Sequence, residues 1–204
     1  MIARLLAAGA ALLLACGAHA QDRLDAIRER LAQQTLLRGE FSQEKRLAGF
    51  RNPLRSSGRF VLARKRGIVW DTLQPFASSM VVTADRIRSR LPDGSARVEV
   101  DVAQQPALGA VNATLFALFA GELAVLSERF DIEPAVVDGA RWTLGLTPKA
   151  GGLAEVFVRV DLEGDAYVRE VRIEERGGDI TRIAFDALRT TPAELSEAEA
   201  RAFD

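Results

Sequence analysis

Residues 57–72 read SGRFVLARKRGIVWDT, and this stretch decides the fold class. It contains two runs with apolar side chains at every second position, namely Phe60 and Leu62 in the first run and Ile68 and Trp70 in the second. A period of two is typical of β-strands that bury one face. The cationic segment Arg64–Lys65–Arg66, followed by Gly67, separates the runs and predicts an exposed hairpin turn. The stretch therefore predicts two neighbouring antiparallel strands.

The same period recurs along most of the chain on both sides of this hairpin. Further alternating runs occupy residues 41–47, 78–91, 97–102, 126–132, 142–146, 156–162, 171–173 and 183–185. Turn signals separate several of them, at Pro92–Asp93–Gly94, Asp138–Gly139, Glu163–Gly164–Asp165 and Gly177–Gly178. About ten antiparallel strands are predicted, and a sheet of that size tends to curl or close. The predicted fold is mainly β (α+β), with one concave apolar face.

Helices are predicted at both ends of this sheet-forming region. Residues Asp22 to Arg38 place Leu24, Ile27 and Leu31 on one helical face, with Asp22 as the N-cap. The tail TPAELSEAEARAF, which opens with Thr191–Pro192, is predicted to form one short acidic helix.

The stretch ATLFALFAGELAVL, residues Ala113 to Leu126, has only two polar residues, Thr114 and Glu122. It is shorter than the roughly 20 apolar residues that cross a bilayer, and it is too apolar for a helix with one face in water. Together with Pro106 before it, the stretch predicts a helix from about Leu108 to Gly121 that covers the concave face of the sheet. This helix is either a lid over a cavity that takes a guest or a permanently packed core helix.

The first 20 residues have the features of a secretory signal peptide. Arg4 precedes an apolar run from Leu5 to Cys16, and Ala18–His19–Ala20 supplies small residues at the cleavage positions. These features predict cleavage after Ala20 and a periplasmic, exported chain with a single domain at residues 21–204. Cys16 follows Leu13–Leu14–Ala15, which resembles a lipobox, so a form lipidated at Cys16 is the alternative.

Cleavage would remove Cys16 and His19, which are the chain's single cysteine and single histidine. Zinc sites built from Cys and His, and Ser-His-Asp or Cys-His catalysis, are thereby excluded. We therefore predict no catalytic residues, no metal and no cofactor, although hydrolysis by Ser/Lys or by carboxylates stays open. The 27 cations and 28 anions of the whole chain nearly balance, so no nucleic-acid partner is indicated.

Three segments resemble the signature segments of the periplasmic outer-membrane lipoprotein carrier family, LolA. They are RGEFSQEKR at residues 38–46, SGRFVLARKRGIVWDTLQP at 57–75 and WTLGLTPKAG at 142–151. The resemblance implies an incomplete antiparallel β-barrel with an α-helical lid over its concave face. It further implies a carrier, expected to be monomeric, that receives lipoprotein acyl chains from an inner-membrane release complex and hands them to an outer-membrane acceptor.

The resemblance carries over Ile68 and Trp70 as alternating apolar positions of the site. The predicted trough and its covering helix add further candidate cargo-binding residues: Phe60, Leu62, Phe76, Met80, Leu115, Phe116, Phe119 and Trp142. Ordinary core packing is the alternative for Phe60, Trp70, Phe76, Met80 and Trp142. The family's arginine six positions before the tryptophan corresponds to Arg64, which is expected to latch the lid through the lid's backbone carbonyls.

The chain departs from the family at two places, which indicates a divergent branch. Lys65 stands where the family usually has proline, and the chain ends in TTPAELSEAEARAFD instead of a further strand region. The cargo is then either a lipoprotein or another lipid product. A lipid-anchored outer-membrane receptor of similar fold, acylated at Cys16, is the other alternative.

Overall fold

The computed structural model describes residues 23–31, 35–83, 86–90, 96–101, 114, 116–117, 122–133 and 135–203. Twelve strands are formed in this part of the chain: β1 (Leu36–Arg46), β2 (Leu54–Ala63), β3 (Gly67–Gln74), β4 (Ser78–Val82), β5 (Arg86–Arg90), β6 (Ala96–Asp101), β7 (Phe130–Ile132), β8 (Val136–Asp138), β9 (Arg141–Pro148), β10 (Phe157–Gly164), β11 (Val168–Glu175) and β12 (Ile180–Arg189). Four helices accompany them: α1 (23–31), α2 (Leu123–Arg129), α3 (Gly152–Val156) and α4 (Glu197–Phe203).

All strands join one antiparallel sheet. Their order is β6-β5-β4-β3-β2-β1-β12-β11-β10-β9-β7, and β8 pairs with β9 beside this path. Within the described residues no pairing joins the outermost strands β6 and β7, so the sheet is open. The predicted fold class of an incomplete antiparallel barrel is confirmed, with twelve strands where the sequence predicted about ten.

At the centre of one face of the sheet the register brings alternating apolar side chains together. Ile68 lies opposite Leu62, and Trp70 lies opposite Phe60 and Met80. Aromatic contacts connect the centre of this concave face: the Phe41 and Trp70 ring centroids are 3.8 Å apart, and those of Phe60 and Phe185 are 5.3 Å apart. The four rings, together with Leu62 and Ile68, belong to one continuous hydrophobic core.

Two glycines make room for the central rings. A Cβ on Gly58 would lie 2.9 Å from a Phe41 ring carbon and would clash with the Asp71 carbonyl oxygen. A Cβ on Gly39 would lie 2.8 Å from a Phe60 ring carbon. Contacts this short are repulsive, so a larger residue at either position would displace an aromatic ring. The glycines in RGEF and SGRF are therefore needed for packing.

The N-terminal helix is shorter than predicted. Its described part reaches residue 31, and Leu36 already pairs with Ala63 in the sheet. Extension of the helix to Arg38 was wrong because Leu36 and Leu37 belong to β1 and bury its opposite faces.

The strand predicted at residues 126–132 was wrong over its first part. Leu126 and Glu128 belong to helix α2, and the strand begins only at Phe130. Leu123 and Leu126 are both buried. Their separation of three residues is a helical spacing that brings them onto one side of the helix.

The turn predictions agree with the structure at Gly139, at Gly177–Gly178 and at Arg64–Arg66. The turn predicted at Glu163–Gly164–Asp165 was wrong in position, because Glu163 and Gly164 still belong to β10 and the bend covers residues 165–167. Gly139 and Gly178 have φ angles of +58° and +87°, which favour glycine, and Arg64–Arg66 form the turn between β2 and β3. The predicted signal peptide, with Cys16, and the Pro92–Asp93–Gly94 turn lie outside the described residues. None of the helices that the described residues form is long and apolar enough to cross a bilayer.

The acidic tail helix is confirmed as α4, and it packs on the convex face of the sheet. Phe203 joins a second apolar cluster with Leu36, Ala63, Val69 and Val81. A reciprocal cap begins the helix: the Ser196 backbone N–H donates to the Glu199 carboxylate at 2.7 Å, and the Glu199 N–H donates to the Ser196 hydroxyl at 3.3 Å.

A buried arginine ties this tail to the first strand. Arg38 donates from Nε to Glu199 Oε1 at 2.6 Å and from its Nη atoms to the Pro192 and Glu194 carbonyl oxygens at 2.7 and 2.8 Å. The hydrogen bond from Arg38 lowers the pKa of Glu199 to about 2. The chain end that departs from the family therefore forms a clamp on the back of the sheet.

We predict that Glu199→Gln destabilises the protein by roughly 2–3 kcal/mol at neutral pH, since one pKa unit corresponds to about 1.4 kcal/mol. The folded-state pKa is lowered, so the contribution of Glu199 exists above about pH 4.5 and is lost as the pH falls toward about 2. Urea unfolding at several pH values measures this. The control is Glu197→Gln, whose side chain is 92 % exposed; equal losses in both variants would contradict the clamp.

Candidate functional site

A cavity of about 270 Å³ lies on the concave face between two parts of the sheet that are not neighbours. One wall comes from β3 and β4, with Ile68, Trp70, Met80 and Val82, and the other from β10, β11 and β12, with Phe157, Ile173 and Ile183. Because β1 and β2 separate these walls in the strand order, the sheet must curl to bring them together. The curl therefore creates the cavity.

The chemistry of these walls suits an apolar chain. Removal of apolar surface from water gains about 25 cal/mol per Å², or about 0.8 kcal/mol for each buried methylene group. Water gains little in such a space because it finds few hydrogen-bond partners there. The cavity can therefore hold hydrocarbon with a favourable free energy.

Helical residues of the predicted lid close the cavity from above. Thr114, Phe116 and Ala117 are helical; Thr114 and Ala117 are fully buried, and Phe116 lines the cavity. The Glu122 N–H donates to the Ala117 carbonyl oxygen at 2.8 Å and connects this segment to α2. The other residues of the predicted lid helix, including Leu115 and Phe119, lie outside the described residues.

The structure divides the other predicted cargo-binding residues into three groups. Ile68, Trp70, Met80 and Phe116 line the cavity. Phe60, Leu62 and Trp142 do not line it; they are at most 4 % exposed and belong to the surrounding core. Phe76 does not line it either: it is 83 % exposed in the turn between β3 and β4. The alternation that pointed Phe76 inward ends with β3 at Gln74, before Pro75.

Sequence reasoning missed the second wall and three polar lining residues. Phe157, Ile173 and Ile183 lie on strands that the sequence did identify, but only the curl of the sheet turns them toward Trp70. Gln43, Thr181 and Glu175 complete the lining. Gln43 follows Phe41 by two residues, so the FSQ segment already placed it on the concave face.

An ion pair stands beside these polar residues, where β1 ends and β12 begins. Lys45 Nζ lies 2.7 Å from Glu175 Oε1 and 3.5 Å from Asp179 Oδ2. The hydrogen bond to Glu175 raises the pKa of Lys45 above its ordinary value. We call Gln43, Lys45, Glu175, Asp179 and Thr181 the polar rim. Its lysine stays charged at any physiological pH.

Arg64 lies at the opposite end of β1 and joins two helical segments. Its Nη2 donates to the Leu31 carbonyl oxygen at 3.0 Å, and its Nη1 lies 3.8 Å from Glu122 Oε1. Leu31 is the last described residue of α1. Among the described residues, Arg64 thus contacts a backbone carbonyl group of α1. It reaches the mid-chain segment through the carboxylate of Glu122. The predicted latch role of Arg64 stays a prediction.

Arg66 belongs to the other side of the sheet. Its guanidinium lies 5.1 Å from the centre of the Phe203 ring in α4, a cation–π distance. Lys65, between the two arginines, is exposed. The three cations of the turn therefore have different surroundings.

A second depression, of about 310 Å³, lies on the convex face and is lined mainly by charged residues. Arg159 pairs with Glu133 and Asp161, and Arg172 pairs with Asp161 and Glu174. Hydrogen bonding to Arg159 lowers the pKa of Glu133. Since these charges neutralise one another across neighbouring strands, the depression is best explained as an ion-pair network that stabilises the sheet.

The comparisons with known proteins agree with this geometry. The family model "Outer membrane lipoprotein carrier protein LolA" matches residues 32–198. A protein of Xanthomonas axonopodis pv. citri (strain 306) named outer-membrane lipoprotein carrier protein is 28 % identical over 159 residues, which are 77 % of this chain and 73 % of that protein.

Two solved structures resemble the chain at low sequence identity. A DUF1329 family protein from Desulfovibrio piger has a TM-score of 0.52 and 15 % identity, with 91 % of this chain and 98 % of that chain covered. A LolA superfamily protein from Nitrosomonas europaea has a TM-score of 0.45 and 8 % identity, with 89 % and 97 % covered. At 15 % identity, the likeness to the Desulfovibrio piger protein concerns the fold alone.

We predict that Ile183→Trp fills the cavity and weakens binding of a neutral fluorescent probe, N-phenyl-1-naphthylamine, by at least about tenfold. The added ring occupies the space that the probe needs, at a stability cost of about 1–3 kcal/mol. Fluorescence titration measures the affinity and urea unfolding the stability. Val158→Trp is the matched control, because Val158 is exposed. Unchanged probe binding in a folded Ile183→Trp protein would show that the probe binds elsewhere.

Proposed function

This chain belongs to the family of outer membrane lipoprotein carrier proteins, LolA, and from that premise we propose that it carries lipid-modified cargo between the inner and outer membranes. The cargo is a lipoprotein or a related lipid whose acyl chain is shielded in the concave cavity. The observation that carries the proposal is the apolar cavity between β3–β4 and β10–β12 beneath Phe116. An acyl chain bound in this cavity is shielded from water although no membrane surrounds it.

The lining supports a carrier better than an enzyme. Its polar groups are the Gln43 amide, the Thr181 hydroxyl and a Glu175 carboxylate already paired with Lys45. A nucleophile needs an adjacent base, and a pair of catalytic carboxylates must face the same cleft. The described lining shows neither arrangement. We therefore assign binding and transfer, without chemical change of the cargo.

The periplasm is the compartment in which such a carrier acts. The predicted signal peptide supports export, and the inner-membrane release complex and outer-membrane acceptor implied by the family would be the donor and recipient. A free N-terminus at Gln21 fits a shuttle, whereas acylation of Cys16 would make the same fold a membrane-anchored receptor. The carrier is the function that we propose.

Release of the cargo requires that the empty protein favour the form in which the helical residues around Phe116 cover the cavity. Arg64 supplies an interaction of the right kind, since it connects the end of α1 to Glu122 beside the helical residues that cover the cavity. A hydrogen bond that involves a charged group contributes roughly 1.5–3 kcal/mol. Cargo that pushes Phe116 outward would strain these contacts, and their re-formation would favour discharge.

We expect native protein purified from the periplasm to release an intact acylated molecule on extraction with organic solvent. Mass spectrometry identifies it. The Ile183→Trp variant, with its cavity filled, should release much less, and Val158→Trp should release as much as the wild type. Extracts without any acylated molecule, from wild type prepared without detergent, would count against a carrier.

We predict that Arg64→Leu retains bound lipid longer and slows its transfer to acceptor vesicles by about tenfold, because 1.4 kcal/mol corresponds to a factor of ten. The rate of loss of a bound fluorescent lipid measures this. Lys65→Leu is the control, since Lys65 is exposed in the same turn; Arg66 is unsuitable because it contacts Phe203. Equal release rates for Arg64→Leu and the wild type would rule out the latch.

A further inference from the structure

Two uncharged polar side chains, Gln43 and Thr181, line the cavity among mostly apolar residues. Gln43 lies opposite Ile183 and Thr181 lies opposite Ile173, and all four line the cavity. Among the described residues, no group forms a hydrogen bond with the Gln43 side-chain amide or with the Thr181 hydroxyl. Polar groups next to an apolar cavity usually make hydrogen bonds. Here they are available to a bound molecule.

The charges beside them do not suit an anion. The cation of the polar rim is Lys45, and it is already held by Glu175 and Asp179. Two carboxylates against one ammonium group leave the rim with a net negative charge. A ligand carboxylate placed near Glu175 would be repelled and would also lose its hydration. The rim therefore disfavours a free fatty acid.

The size of the cavity restricts the apolar part of the ligand. At about 270 Å³ it lies just below the roughly 300–1,000 Å³ of sites for drug-sized molecules. Met80, at 37 % exposure, marks a side that is open to solvent. A cavity of this volume holds one hydrocarbon chain, and a second chain would need the walls to separate.

We propose that the polar rim is a head-group site that selects a single acyl chain attached through an uncharged amide. This inference rests on the proposed carrier function and deepens it. The Gln43 side chain can donate to an amide carbonyl oxygen and accept from an amide N–H, and the Thr181 hydroxyl can do either. The chain then runs inward between Trp70 and Ile173. The ligand class is an N-acylated, neutral amphiphile.

Competition against N-phenyl-1-naphthylamine tests the proposal with two ligands of equal chain length, dodecanamide and dodecanoate. The titration is run below their micelle concentrations at about pH 8, where the acid is ionised. We expect dodecanamide to bind at least about tenfold more tightly than dodecanoate. Equal affinities, or tighter binding of dodecanoate, would overturn the head-group assignment while leaving the carrier function intact. Failure of both ligands and the probe to bind would instead count against the carrier.

Substitutions in the polar rim test which residues produce the preference for the amide. Gln43→Leu and Thr181→Val should each reduce the amide preference at least about threefold without loss of the naphthylamine probe, because they remove hydrogen bonds and keep the cavity apolar. Glu175→Gln should raise dodecanoate affinity, since it removes a repelling charge. Gln74→Leu is the matched control for Gln43→Leu, because Gln74 is exposed at the end of β3. An unchanged preference in Gln43→Leu and Thr181→Val would refute the site.

Discussion

The pairing of the first strand with the last strand is the contact on which the rest of the structure depends. β1 and β12 are joined from Arg38 opposite Arg189 to Arg46 opposite Ile180, and they are the point at which β2–β6 on one side meet β7–β11 on the other. Without this ladder the two walls of the cavity would belong to separate sheets. The pairing closes a long chain segment, and the loss of entropy on closure is offset by the apolar face that the joined sheet buries.

Aromatic rings reinforce this central ladder from inside, and the C-terminal tail reinforces it from outside. Phe41 and Phe185 face each other across β1 and β12, and Phe41 stacks on Trp70 over the space left by Gly58. On the convex face Arg38, also on β1, holds the tail that carries α4. β1 thus contacts both the aromatic core on the concave face and the tail on the convex face.

The polarity of the concave face changes along β1. At one end Arg64 contacts Leu31 of α1 and Glu122; at the other, Gln43 and Lys45 belong to the polar rim. Between them the lining is apolar. A chain shielded in the middle, with its polar end at the rim, would keep its attached group in water.

Local patterns in the sequence determined most of the sheet. Alternation such as Phe60–Leu62 and Ile68–Trp70 depends only on neighbouring residues, since a strand directs successive side chains to opposite faces. It therefore predicted most of the strands and part of one cavity wall. The open barrel was implied by the resemblance to the LolA family, and the tail helix was predicted from the acidic segment after Thr191–Pro192. The identity of α2 was missed because Leu126, Glu128 and Phe130 satisfy a period of two as well as a helical face of Leu123 and Leu126.

Only the tertiary structure decided which apolar residues form a cavity and which fill the core. Phe60 and Ile68 have the same pattern in the sequence, yet Phe60 packs over Gly39 in the core while Ile68 borders the cavity. Ile173 and Ile183 face Trp70 only because the β1–β12 pairing and the curl of the sheet bring distant strands opposite each other. Phe76 is exposed because its turn leaves the sheet. The period of two along a strand determines which face of the sheet a side chain occupies. Which side chains lie close to one another across the curved sheet depends on the whole fold.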